Sequence, residues 1–75
     1  MNNQRRKEII AATQKIEDII ARIREILSDE QEAFDNRPEG LQASDRGIDS
    51  EHAQECLEAA IESLEDAVMS LEEVD

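Results

Sequence analysis

The sequence predicts an all-α fold, an antiparallel two-helix hairpin that forms a single domain over residues 1–75 and dimerises into a four-helix bundle. Three observations favour this fold. Two segments carry apolar residues at three positions in seven, the pattern of a helix with one broad apolar face. The single proline and both glycines lie in the stretch that separates these segments. Phe34 is the one aromatic residue, so a β-sandwich or barrel stabilised by aromatic pairs is not expected.

We predict the first helix over about residues 4–34. Asn2 or Asn3 is a suitable N-cap residue, and Asp18 and Arg22 have the i,i+4 spacing of a favourable ion pair. The apolar side chains of this helix occupy three heptad positions. Position a holds Ile9, Ile16 and Ile23, position d holds Ala12, Ile19, Ile26 and Ala33, and position e holds Thr13, Ile20, Leu27 and Phe34.

A structured connection of 14 residues, 35–48, is expected to follow the first helix. Pro38 biases Arg37 away from helical backbone angles and so ends the helix. Gly40 and Gly47 offer positions for a positive φ angle. Helix–helix connections usually contain 2 to 8 residues, and longer ones are usually functional or carry structure of their own.

Two roles are open for this connection, and they are compatible. Leu41 and Ile48 are its apolar residues, and we expect them to pack over Phe34 and close one end of the core. The alternative is a partner-binding loop in which Leu41, Gln42 and Arg46 contact another protein. Long connections that persist in compact domains are often functional, which keeps this second role open.

We predict the second helix over about residues 50–73, with Asp49 or Ser50 as its N-cap. Its apolar residues again recur every seven positions, a register that a disordered acidic tail would not keep. The repeats are Leu57, Leu64 and Leu71; Ala53, Ala60, Ala67 and Val74; and Ile61 with Val68.

The assembly prediction follows from the width of the two apolar faces. Each face is wider than one partner helix covers, so two hairpins are expected to pack as a homodimeric four-helix bundle. The charges at the chain ends favour the antiparallel arrangement, because each cluster is placed unfavourably for its own helix dipole and the two can neutralise each other. These clusters are Arg5, Arg6 and Lys7 at the start and Glu72, Glu73 and Asp75 at the end.

One segment resembles a known group of proteins. The stretch EQEAFDNRPEGLQ, residues 30–42, followed by Ser44, Arg46 and Gly47, is similar to small acidic helical-hairpin proteins of bacteriophages and bacterial mobile elements. The resemblance implies a bacterial cytoplasm and the context of a phage-encoded helper or inhibitor. It implies no catalytic or ligand-binding residue.

The charge distribution gives the main functional prediction. Net charge is −12, and residues 49–75 hold ten acidic side chains with no Lys or Arg, so direct nucleic-acid binding is not expected. The acidic residues fall on one side of the second helix, where they could imitate nucleic acid and bind a basic bacterial protein. The alternative is an ordinary solvated face that keeps the protein soluble. The predicted partner-binding acidic residues are Glu51, Glu55, Glu58, Glu62, Glu65 and Asp66.

Enzymatic and metal chemistry are not expected. His52 and Cys56 have the i,i+4 spacing of two metal ligands, but a structural zinc site needs two more soft ligands and the sequence has no other His or Cys. Cys56 as a nucleophile would need a base and an oxyanion hole, which the interior of a helix does not readily supply. We therefore predict no catalytic residue, cofactor or metal. No apolar run reaches the roughly 18 residues that a membrane-spanning helix needs.

Three functions remain, in decreasing order of preference. The first is a non-enzymatic acidic interaction module, such as an inhibitor that occupies the nucleic-acid site of a bacterial protein. The second is a structural or assembly dimer whose charge serves only solubility. The third is an enzyme.

Overall fold

The computed structural model describes residues 1–74 and contains three helices: α1 (Asn3–Asp35), α2 (Glu39–Gln42) and α3 (Asp45–Glu72). The two long helices pack against each other in an antiparallel hairpin that measures 58 × 15 × 12 Å. The hairpin is antiparallel because the early α3 residue Ser50 contacts Glu30 near the end of α1. No strand occurs in the described part of the chain, so the predicted all-α hairpin is confirmed.

Helix α1 has nearly the predicted bounds. Asn2 is its N-cap, and its side-chain oxygen accepts a hydrogen bond of 2.8 Å from the backbone N–H of Arg5. Helix α1 ends at Asp35, three residues before Pro38, and Arg37 lies outside the helices, as the effect of proline on the preceding residue predicts. The predicted ion pair between Asp18 and Arg22 is absent, because Arg22 instead binds Glu25 at 3.0 Å on the exposed side of the helix.

Helix α3 begins five residues earlier than predicted. Its N-cap is Ser44, whose side chain accepts a hydrogen bond from the backbone N–H of Gly47. The prediction of Asp49 or Ser50 as the N-cap is wrong, since both lie inside the helix. The connection therefore shortens to residues 36–44, and α2 forms one helical turn within it.

Both glycines have negative φ angles, so the expected positive φ at Gly40 and Gly47 is not found. Gly47 is needed for a different reason. It is buried in the first turn of α3, directly against the backbone of Gln42 at the end of α2. A β-carbon built there would lie 2.5 Å from the carbonyl carbon of Gln42, a distance that packed atoms do not tolerate. The absence of a side chain at Gly47 thus lets α2 fold back onto α3.

The core is small and lies along the line between the two long helices. Ile20 of α1 and Ile61 and Val68 of α3 are buried, and four partly buried residues surround them. These four are Ile16, Ile23, Leu27 and Leu64. Positions a and e of α1 therefore face α3, whereas Ile19 and Ile26 at position d are 51% and 41% exposed.

The connection closes the hairpin end differently from the prediction. Leu41 and Ile48 are 54% and 57% exposed, so they do not pack over Phe34 as expected. The side chain of Gln42 takes that place and donates hydrogen bonds to the carbonyl oxygens of Phe34 and Arg37 at 3.3 and 3.4 Å. The helical turn of α2 orients Leu41 outward and Gln42 inward, which an argument from hydrophobicity alone misses.

The opposite end of the hairpin brings the two charged termini near each other. Arg6 and Glu72 line one groove there together with Ile9 and Leu71. The ion pairs among residues 1–74 are Arg22–Glu25 and Arg24–Glu65, so within these residues no direct contact makes the predicted neutralisation. Asp75, which the sequence places in the acidic cluster, lies outside the described residues. No helix of the described chain is both long and apolar enough to cross a membrane.

Candidate functional site

The predicted acidic residues form a continuous exposed surface on α3. We call it the acidic face, and all six of its side chains are exposed. Steps of three and four residues keep the six on one side of the helix, away from Ile61 and Val68, over about 22 Å at 1.5 Å per residue. The acidic face consists of Glu51, Glu55, Glu58, Glu62, Glu65 and Asp66.

Cations compensate only one end of the acidic face. Arg24 of α1 donates from its guanidinium to the Glu65 carboxylate at 3.0 Å, and both side chains are at least half exposed. An exposed pair of this kind contributes roughly 0.2–1 kcal/mol. No other member of the acidic face has a Lys, Arg or His nitrogen within 4 Å among residues 1–74.

The uncompensated carboxylates repel one another along the helix. Glu51 and Glu55 are four residues apart, and Glu55 and Glu58 are three apart, spacings at which side chains on a helix are neighbours about 5–6 Å apart. Like charges at these spacings destabilise a helix by a few tenths of a kcal/mol per pair. A cationic surface placed against this face would relieve the repulsion.

The three predicted loop residues, Leu41, Gln42 and Arg46, differ in how exposed they are. Leu41 and Arg46 are exposed at the closed end of the hairpin and are available to a partner. Gln42 is partly buried, and its amide is engaged with the backbone of α1 and the connection. Gln42 thus has a structural role in addition to any contact with a partner.

His52 and Cys56 are close together, as their spacing predicts, with 3.6 Å between Nε2 and Sγ. Both side chains are exposed on α3. Among residues 1–74, no group of three or more His, Cys, Asp or Glu side chains is arranged to hold a metal ion. The pair forms a local contact within one helix.

Sequence reasoning missed a buried polar contact between the long helices. Ser50 is only 4% exposed, and its hydroxyl donates a 2.6 Å hydrogen bond to a carboxylate oxygen of Glu30. Gln54 donates to the same Ser50 oxygen at 3.4 Å. From the sequence, Ser50 is predicted only as an N-cap candidate. Position 50 is seven residues before Leu57, so it shares the register of the leucine repeat, and a polar residue on a buried face needs a partner.

The d position of α1 forms part of a second exposed surface. The sequence pattern assigns these residues to the buried apolar face. At 100° per residue, Ile19 and Ile26 lie about 70–90° to one side of the buried line of α1, and Arg24 lies about 70° to the other side. On α3, Ala60 and Ala67 lie about 70–90° to one side of its buried line, and Glu65 lies about 70° to the other side.

The ion pair between Arg24 and Glu65 shows which side of α1 lies next to which side of α3. Since Arg24 and Glu65 are 3.0 Å apart, they mark one common side of the hairpin. Ile19 and Ile26 of α1 and the alanines of α3 must then share the opposite side. We call this surface the Ile/Ala face, and it comprises Ile19, Ile26, Ala53, Ala60 and Ala67.

Comparison of the chain with protein-family models, with curated proteins and with solved structures found no match.

Proposed function

We propose that this protein is a non-enzymatic interaction module whose acidic face binds a basic surface of another protein, the kind of surface that binds nucleic acid. The observation that carries the proposal is the exposed run of carboxylates on α3, of which only Glu65 has a cation partner within residues 1–74. A solvated helix gains a few tenths of a kcal/mol from each Glu–Lys pair, and α3 forgoes these pairs along its outer side.

The charge spacing supports imitation of nucleic acid. The acidic face carries six carboxylates over about 22 Å, which is one charge per roughly 4.5 Å of helix axis. One strand of B-DNA carries one phosphate charge per about 3.4 Å. A basic groove that neutralises phosphates at that spacing would therefore meet a similar row of anions on α3.

The proposal extends to a biological context through the resemblance of residues 30–42 to small acidic phage proteins. A phage or mobile-element protein with an acidic helix would act in the bacterial cytoplasm. There it would occupy the nucleic-acid site of a host protein and so inhibit it. No step of this function needs a cofactor or a metal.

Affinity capture tests the proposal. The immobilised protein is exposed to bacterial lysate at ~50 mM salt, and bound proteins are eluted with a double-stranded DNA fragment and identified by mass spectrometry. We expect nucleic-acid-binding proteins that DNA displaces and that high salt also releases, because screened charges lose their attraction. The variant Glu51→Lys/Glu55→Lys/Glu58→Lys should keep its helicity and lose these proteins.

A loop variant supplies the matched control. Leu41→Ala/Arg46→Ala changes two exposed residues at the closed end of the hairpin and leaves the acidic face intact. If this variant loses the captured proteins while the triple Lys variant retains them, recognition belongs to the loop and the nucleic-acid imitation is wrong.

A second candidate function is a structural or assembly dimer whose acidic face serves only solubility. The exposure of Ile19 and Ile26 favours it, because isoleucines side by side on a surface are typical of an interface. This candidate predicts self-association with no protein captured at any salt concentration. Self-association through Ile19 and Ile26 is by itself compatible with binding by the acidic face, because the two use different sides of the hairpin.

A further inference from the structure

We draw no further inference here: the strongest candidate, the Ile/Ala face on which Ile19 and Ile26 are exposed beside the seam of the two long helices, carries none because nothing in the structure shows what covers it.

Discussion

The contact between Gly47 and Gln42 allows a sharp test of how the connection is held. In Gly47→Ala the new β-carbon would lie 2.5 and 2.9 Å from the carbonyl carbon and α-carbon of Gln42, and closer still to its carbonyl oxygen. All three atoms belong to the backbone, so no side-chain rotation relieves the overlap. The end of α2 must move away from α3.

The cost follows from what that movement breaks. Displacing α2 removes the hydrogen bonds of the Gln42 amide to the carbonyl oxygens of Phe34 and Arg37, each worth about 0.5–1.5 kcal/mol. Alanine returns up to about 1 kcal/mol through its higher helix propensity. We therefore expect a net destabilisation of roughly 1–2 kcal/mol, which for a domain of this size lowers the melting temperature by about 5–15 °C.

Gly40 provides the control. It lies in α2, and a β-carbon added there would have no neighbouring atom within 4 Å, so Gly40→Ala should leave stability unchanged or raise it by up to about 1 kcal/mol. Both variants are melted by circular dichroism at one fixed protein concentration, because self-association would shift the midpoint. A Gly47→Ala protein as stable as Gly40→Ala would refute the packing of α2 on α3.

A double variant separates displacement of α2 from a purely local strain. If Gly47→Ala already breaks the bonds of Gln42, then adding Gln42→Ala should cost little more, and the two effects should be strongly non-additive. Additive effects would show that α3 distorts while α2 stays in place.

Three other changes test the packing of the long helices. Ile20→Asp buries an unpaired charge in the core and should cost more than about 3 kcal/mol in a denaturant titration, whereas Ile19→Asp, one residue away but exposed, should leave a folded chain without the self-association that the second candidate function predicts. Ser50→Ala removes a buried hydroxyl bonded to an α1 carboxylate and should lower the free energy of unfolding by about 1 kcal/mol, while exposed Ser63→Ala should be near neutral. Cys56→Ser should be mild, and a chelator should leave helicity and melting unchanged; a large loss on chelation would indicate a metal at the His52–Cys56 pair.

The sequence predicted the bounds of α1 well, because they are set by residues close to each end of the helix. Asn2 at the start and Pro38 beyond the end set the bounds of α1 to within one residue, because capping and the steric effect of proline act within a few residues. The start of α3 was missed because Ser44 and Ser50 are both good N-cap residues. Ser50 instead lies inside α3, where its hydroxyl bonds Glu30, twenty residues away, a contact that exists only after the hairpin forms.

The exposed surfaces also divide into features that local sequence predicts and features that depend on contacts between the two helices. Helical phase alone predicted that the acidic side chains of α3 share one exposed side, and the structure places them there. The sequence also predicted the width of the apolar face of α1. It did not predict which heptad positions of that face contact α3, since contact through positions a and e and contact through positions a and d are equally compatible with the sequence. That choice depends on the pairing of the two helices, as does the contact of Arg24 with Glu65.

The single ion pair of the acidic face divides it into parts with different roles. Glu65 is paired with Arg24 within the chain. Glu51, Glu55, Glu58 and Glu62, which lie before Glu65 on α3, have no cation partner among residues 1–74. Recognition of a basic partner should therefore depend on these uncompensated carboxylates, because they can gain new ion pairs without breaking an existing one. A partner that bound Glu65 would have to compete with Arg24 of the chain itself.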